Sequence, residues 1–364
     1  MIRRLYLDNI RSFVNFEWSP ERLTLLLGRN GAGKTAIFGA LEALQRFVTG
    51  GTTVSEAFPD ASRTRWETRV EQTVELDVHL GGSAYRYRLV LAHDESKPDD
   101  PLVKSELLEC DGRTVVEFKT GDLRIYRGTQ EVSIPGTRPT RSGVGAMTSG
   151  GDPVLDRFQK WIQDIWVLRP DPRVMSSRID RRRTAKAPWL NSDLSNFAAW
   201  YPPMLASKPG TMFKAIQSLA PVLDGFVELY EEDGSLWARF ENQGNTSSYS
   251  FDELSDGERA LVALYIVVNG VAGPGKTILL DEPDNYIALR EVQPWLSDLA
   301  DRTLRNDGPQ VLLISHHPDT LNFLAVDNGW RVFRDKAGPT RIERFKPADN
   351  AGPAETMARG WEEP

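Results

Sequence analysis

A glycine-rich loop between a strand and a helix restricts the possible folds of this chain more than any other feature. The loop is "GRNGAGKT" at residues 28–35, behind the apolar run "LTLLL" and before "KTAIFGALEALQRFV", whose apolar residues recur at helical spacing. It matches G-x-x-x-x-G-K-[ST] in full, a pattern typical of loops that bind nucleotide phosphates. We therefore expect an α/β nucleotide-binding fold.

The chemistry of phosphate binding predicts a role for each residue that the pattern specifies. Glycines allow successive N–H groups to face phosphate oxygens, and the start of the following helix adds its positive end. Lys34 is expected to reach the β- and γ-phosphates, and Thr35 to ligate Mg²⁺. The expected nucleotide-binding residues of the loop are Gly28, Asn30, Gly31, Gly33, Lys34 and Thr35.

The other strands and helices expected in the same nucleotide-binding sheet lie more than 200 residues further along the chain. Strand-like runs separated by turn signals predict an antiparallel meander at 71–127, and buried strands alternate with helices again only after about residue 252. We predict a discontinuous core at 1–70 and 250–345, interrupted by the β lobe at 71–127 and a mainly helical insertion at 128–249. A polar tail follows at 346–364.

Two further strands of the core end in residues suited to catalysis. In "TILLDEPD", residues 277–284, a buried strand ends in Asp281 and Glu282. Asp281 is suited to supporting Mg²⁺, and Glu282 to orienting or deprotonating the attacking water. In "LLISHHPD", residues 312–319, His316 is a candidate γ-phosphate sensor. Two solvated acids and a structural histidine are the alternatives.

A second anion-binding helix start is predicted in "DELSDGERALVALY", residues 252–265. Ser255 and Gly257 lie just before the helix, where a nucleotide held by another subunit would contact them. The alternative is a simple helix cap in which Glu258 completes a capping box.

Composition and charge exclude several classes of protein. With 40% hydrophobic and 26% charged residues, the chain is typical of a soluble globular protein. It contains no apolar stretch of about 18 residues, no signal-peptide pattern at its start and one cysteine, so we expect a cytoplasmic protein without a membrane partner. The net charge of -7 argues against general electrostatic attraction to nucleic acid.

Positive charge is concentrated in one segment. Residues 169–186 contain six arginines and a lysine against two aspartates. This segment is either a solvated or internally paired loop, or a site for phosphate, DNA or an acidic partner. The candidates for DNA contact are Arg178, Arg181, Arg182 and Arg183.

Together these motifs resemble those of ABC-type P-loop ATPases of the RecF, SMC and OLD group. "GRNGAGKT" resembles Walker A, "LSDGE" the signature motif, "ILLDEP" Walker B and "SHHP" the switch-histidine motif. "LDNIRSF" resembles the first strand and turn of the group, and "DLSNFAAWYPPML" a segment of its short members without coiled coils. The chain departs from the group after Walker B, where "NYIALREVQPWL" lacks the usual aspartate.

The resemblance implies an ABC-ATPase head with a mixed sheet, an antiparallel β-meander lobe and a helical insertion. It implies that two chains dimerise around ATP and Mg²⁺, with Ser255 and Gly257 of one subunit completing the Walker A site of the other. Glu282 would be the catalytic base, His316 the γ-phosphate switch, and Thr35 and Asp281 the Mg²⁺ residues.

Two functions fit this class. One is an ATP-driven switch that controls an effector protein encoded nearby, as in bacterial antiphage defence ATPases. The other is a RecF-like ATPase that binds DNA directly in repair or maintenance, which the arginine-rich segment favours. The absence of long heptads argues against coiled-coil arms that embrace DNA.

Overall fold

The computed structural model describes most of the chain, in residues 1–49, 51–94, 96–119, 121–128, 130–147, 151–179 and 189–360, with the backbone alone for 97–99. The chain divides into two units. The first comprises Met1–Ile165, Gly275–Thr277 and Trp330–Phe345. The second comprises Trp166–Pro274, Ile278–Gly329 and Lys346–Pro364.

The described residues form strands, α-helices and short 3₁₀ turns. The strands are β1 Ile2–Asp8, β2 Phe16–Trp18, β3 Leu23–Leu27, β4 Glu71–Leu80, β5 Ser83–Asp94, β6 Lys97–Cys110, β7 Arg113–Lys119, β8 Asp122–Arg127, β9 Gln130–Ile134, β10 Ile165–Leu168, β11 Phe226–Glu232, β12 Ser235–Asn242, β13 Asn245–Ser250, β14 Thr277–Asp281, β15 Gln310–Ile314, β16 Gly329–Arg334 and β17 Thr340–Arg344. The helices are α1 Lys34–Thr49, α2 Val54–Ala57, α3 Gly143–Ala146, α4 Pro153–Gln163, α5 Phe197–Ser207, α6 Pro209–Leu219, α7 Asp256–Val271, α8 Leu289–Leu304, α9 Pro318–Asn328 and α10 Pro353–Arg359. Short 3₁₀ turns occupy Asp60–Ser62, Pro172–Val174 and Phe251–Glu253.

The first unit contains an antiparallel sheet in the order β2-β1-β4-β5-β6-β7-β8-β9. Buried and exposed residues alternate along β4, as expected for a strand with one face on a core. Tight turns join β4 to β5 and β6 to β7, and the β6–β7 turn uses Asp111 and Gly112 with φ of 50° and 75°. The predicted meander is therefore confirmed.

The same unit contains the strand that precedes the glycine-rich loop. All five residues of β3 are buried, and β3, β16 and β17 are neighbours in that order. Helix α1 follows the loop and buries its apolar face. Its Gln45 donates hydrogen bonds to the carbonyl oxygens of Ile162, at 3.0 Å, and Ile165, at 2.7 Å, which ties α1 to the end of α4.

The second unit contains two groups of strands. In the first group β14 lies between β10 and β15, and β14 and β15 are buried along their whole lengths. In the second group β11, β12 and β13 form an antiparallel sheet. Asp233 and Gly234 adopt φ of 50° and 73° at the β11–β12 turn, as Asp-Gly sequences commonly do in β-hairpins.

Helices complete the second unit. Helix α7 buries most of its residues, as expected for a helix that is apolar on several faces. The segment predicted as a polar tail contains α10, in which Pro353 and Thr356 are buried. The backbone N–H of Ala354 donates to Asn322 Oδ1 in α9 at 3.0 Å, so the tail packs on the unit through an ordered helix. The predicted division into core, lobe, insertion and tail stays a prediction.

None of the helices in the described part of the chain has the length and apolar character needed to cross a bilayer.

Candidate nucleotide-binding and catalytic residues

The glycine-rich loop of the first unit has a backbone that depends on its glycines. Gly28, Gly31 and Gly33 have φ of 139°, 80° and 112°, a region that L side chains adopt only with strain. A Cβ at Gly28 would lie 2.1 Å from the carbonyl oxygen of Val332. The loop therefore passes directly against β16, which only glycine permits.

A buried threonine supports the other end of the loop. Thr340 Oγ1 donates to the carbonyl oxygen of Ala32 at 2.9 Å and lies 2.8 Å from Ser12 Oγ. A Cβ at Gly33 would lie 2.8 Å from the same Thr340 hydroxyl. The sequence analysis did not identify Thr340 or Ser12, because no local pattern links positions more than 300 residues apart.

Lys34 begins α1, and its ammonium group lies within the loop. Its Nζ donates to the carbonyl oxygens of Gly28 at 2.7 Å and Arg29 at 3.2 Å, and the residue is 6% exposed. Asn30 and Thr35 are exposed. The loop thus combines a cation, exposed polar side chains and a helix start, which together suit a polyphosphate.

Two alanine substitutions distinguish how much the close packing of the loop and its backbone conformation each contribute to stability. We expect Gly28→Ala to lower the free energy of unfolding by about 3 kcal/mol or more, because it adds a steric clash to backbone strain. Gly31→Ala should cost only about 1–2 kcal/mol, since a Cβ at Gly31 meets nothing within 4 Å and only the positive φ opposes it. Urea unfolding of both variants measures the difference. Equal losses would contradict the close packing of Gly28 on β16.

The acidic residues of the second unit lie where β14 ends. Asp281 is the last residue of the strand and is 7% exposed. Arg169, directly after β10, places its Nε 3.2 Å from Asp281 Oδ2. A carboxylate this buried needs such a partner because desolvation penalises an unpaired charge. Arg169 and Arg173 belong to the arginine-rich segment, and their pairing with Asp281 and Asp171 supports the internally paired interpretation for these two arginines.

Glu282 is held by three contacts immediately after the strand. Its backbone has φ of 49°, and its N–H donates to the carbonyl oxygen of Ile314 at 2.9 Å. Asn285 Nδ2 donates to Glu282 Oε2 at 2.6 Å, and His316 Nε2 lies 3.7 Å from Glu282 Oε1. Glu282 and His316 are partly exposed, with 39% and 36% of their side chains accessible. The structure therefore brings these two sequence-predicted residues together, and adds Asn285, which the sequence analysis missed.

The signature segment forms the start of α7. Ser255 Oγ accepts from the N–H of Glu258 at 3.3 Å, and Glu258 Oε2 accepts from the N–H and the hydroxyl of Ser255, each at 2.8 Å. The capping box that was the alternative interpretation of this segment is therefore present. A Cβ at Gly257 would lie 2.9 Å from the carbonyl oxygen of Tyr286. The helix start consequently packs against the turn that follows Glu282.

The rest of the arginine-rich segment is described only in part. Arg178 is exposed and pairs with Ser235 through a single antiparallel bridge. Arg181, Arg182 and Arg183, predicted for DNA contact, lie outside the described residues.

Candidate metal donors are few, and their chemistry fits Mg²⁺. No group of three or more His, Cys, Asp or Glu side chains with metal-binding geometry occurs in the described ranges. Mg²⁺ prefers oxygen ligands, keeps several waters and is commonly held by one or two protein groups together with substrate phosphates. The exposed hydroxyl of Thr35 and the carboxylate of Asp281 are donors of this type.

Two solved structures align with nearly the whole of this chain. The structure of an SmcHead bound to the C-winged helix domain of ScpA aligns with 95% of this chain and 98% of its own, at 15% sequence identity and a TM-score of 0.57. The SMC head domain from Thermotoga maritima aligns with 95% of this chain and 99% of its own, at 14% identity and a TM-score of 0.49. No curated protein matches the sequence significantly.

The fold is that of an α/β P-loop ATPase head, as in the SmcHead structure. The family profile described as "AAA domain, putative AbiEii toxin, Type IV TA system" matches residues 23–322. The chain belongs to this family of ATPases.

Proposed function

We propose that the chain binds Mg²⁺ and ATP and hydrolyses the nucleotide. Lys34 and the loop glycines bind the phosphates, while Thr35 and Asp281 support the metal ion. Mg²⁺ supplies charge neutralisation of the phosphate oxygens when bound. The observation that carries the proposal is Glu282, which Asn285 orients from one side and His316 from the other.

Glu282 has the position and exposure that a general base requires. It follows the buried strand β14, so its backbone is anchored, while its carboxylate remains accessible to water. The nearby imidazole of His316 can respond to charge at the γ-phosphate. Hydrolysis would therefore change the surroundings of both side chains.

We further propose that two chains close around ATP, with Ser255 and Gly257 of one subunit on the nucleotide of the other. Ser255 caps α7, so its hydroxyl and the first N–H groups of the helix lie at one exposed end. Closure on ATP and opening after hydrolysis would give the chain two states that a partner protein can distinguish.

We propose that this closure and opening regulates an effector protein in bacterial antiphage defence. The family description names a putative toxin of a type IV toxin–antitoxin system, and the SmcHead of similar fold binds a domain of another protein. Both observations support an ATPase that works with a protein partner.

Co-purification with the product of the adjacent gene tests the switch. We expect the two proteins to associate, and the activity or affinity of the partner to differ between ATP and ADP. The Lys34→Ala variant is the control, because it should lose the nucleotide dependence while retaining the fold. Absence of a complex under both nucleotides would contradict the effector proposal and leave the ATPase proposal standing.

Direct DNA binding remains the second candidate. The exposed Arg178 favours it, and the net charge of -7 opposes it. Duplex binding that weakens with salt and is lost after replacement of Arg181, Arg182 and Arg183 by alanine would support this alternative.

A further inference from the structure

A fully buried carboxylate joins the turn after Glu282 to the segment that carries His316. Asp284 is 0% exposed, and its Oδ2 accepts hydrogen bonds from Ser315 Oγ at 2.6 Å and Thr320 Oγ1 at 2.5 Å. Both hydroxyl residues are themselves fully buried. Buried polar groups depend on protein partners because water cannot reach them, so these two hydrogen bonds attach the turn to the histidine segment.

The same contacts fix the backbone on both sides of His316. Ser315 precedes the histidine, and its Oγ accepts from the N–H of His317 at 2.9 Å. Thr320 lies in the first turn of α9, just after it. Asp284 therefore restrains the residues before and after His316 without touching the imidazole.

Asp284 also belongs to the turn that carries Glu282. The turn is closed by the N–H of Ile287, which donates to the carbonyl oxygen of Asp284 at 3.2 Å. At its start, the N–H of Glu282 donates to the carbonyl oxygen of Ile314, directly before Ser315. Main-chain and side-chain contacts thus connect the two segments at successive positions.

We propose that Asp284 is a positioning residue that sets the separation and orientation of Glu282 and His316. This inference rests on the proposed ATPase function, in which those two side chains act on the nucleotide. Asp284 would act through Ser315 and Thr320, whose hydroxyl groups transmit its position to the histidine segment. Asp284 Oδ1 is buried and makes no hydrogen bond within the described residues, so the side-chain contacts of this carboxyl group there are those that Oδ2 makes with the two hydroxyls.

A purely structural role makes a different prediction. If Asp284 only stabilised the core, the loss of one of its hydrogen bonds would lower stability without a specific effect on His316. Replacement of Asp284 by alanine cannot separate the two roles, because it removes the acceptor of two buried hydroxyls and so destabilises the fold as well. Removal of a single hydrogen-bond donor distinguishes the two roles better, because it leaves Asp284 in place.

Thr320→Val is that change, and Thr303→Val is its matched control. Both threonines are buried in helices of the same unit, and Thr303 Oγ1 donates to the carbonyl oxygen of Leu299 at 2.7 Å, away from Glu282 and His316. We expect Thr320→Val to lower kcat for ATP hydrolysis about 10-fold, with KM changed less than about 2-fold, because orientation is lost and binding is not. Thr303→Val should leave kcat within about 2-fold, and Thr320→Ser should restore it.

A double-mutant cycle identifies the residue through which the effect passes. In the His316→Ala background, Thr320→Val should have no further effect on kcat, because the histidine that it positions is absent. An undiminished 10-fold loss in that background would overturn the inference. So would equal kcat losses in Thr320→Val and Thr303→Val.

Histidine ring signals in nitrogen-15 NMR spectra, recorded without nucleotide, test the positioning separately from hydrolysis. The chain has four histidines, and the His316→Ala variant assigns the signal of His316. We expect this signal to move in Thr320→Val and to stay in place in Thr303→Val and Thr320→Ser. An unchanged His316 signal in Thr320→Val would overturn the inference. Lack of ATP hydrolysis by the parent protein would instead overturn the proposed function.

Discussion

Replacement of Glu282 by glutamine is expected to reduce ATP hydrolysis by about 100-fold or more, with ATP binding retained. The amide keeps the size of the side chain and can keep the contact with Asn285, but it cannot accept a proton from water. General-base catalysis commonly contributes factors of this size. A steady-state phosphate-release assay, combined with a fluorescent-nucleotide binding titration, measures both quantities on the same preparation.

Glu355→Gln is the control for this substitution. Glu355 lies in α10, partly exposed, and pairs with Arg359 one helical turn away. It has no role in the proposed chemistry, so hydrolysis should match the parent protein. Turnover by Glu282→Gln equal to that of the parent would remove Glu282 from the role of base.

Lys34→Ala is expected to weaken ATP binding by roughly 10- to 100-fold. The substitution removes the ammonium group and with it the charge-assisted hydrogen bonds to phosphate, each worth about 1.5–3 kcal/mol. The same group donates to the carbonyl oxygens of Gly28 and Arg29, so phosphate oxygens would replace acceptors that lie within its reach. Isothermal titration with a non-hydrolysable ATP analogue gives the affinity directly.

Lys214→Ala is a suitable comparison for Lys34→Ala. Lys214 is an exposed lysine of α6, so its removal changes the net charge equally without altering the glycine-rich loop. Its ATP affinity should equal that of the parent. If Lys34→Ala bound ATP as tightly as Lys214→Ala, the loop would not be the phosphate site.

Local patterns in the sequence predicted those features that depend on neighbouring residues. The strand, loop and helix around residues 28–35 follow from apolar spacing and glycine placement, and the β11–β12 hairpin follows from Asp233 and Gly234. The capping box of Ser255 and Glu258 also lies within one helical turn. In each case the interacting groups are close in sequence, so their chemistry is visible without the fold.

Features that depend on distant residues were not predictable in the same way. Thr340 supports the loop from a position 308 residues beyond Ala32, and Arg169 reaches Asp281 from 112 residues away. Asp284 is the last residue of the acidic motif at 277–284, but its attachment to Ser315 and Thr320 depends on the packing of two separate segments. Polar residues of this kind carry no periodic signal, because a single buried contact decides their role.

The mass of Glu282→Gln in solution, with and without Mg²⁺ and ATP, tests the central claim most directly. The claim is that ATP closes two chains into a dimer and that hydrolysis reopens it. Because the variant retains ATP, sedimentation velocity should show twice the mass of the chain with Mg²⁺ and ATP, and the mass of a single chain with ADP. An unchanged mass in ATP and ADP, at full nucleotide occupancy, would contradict the account.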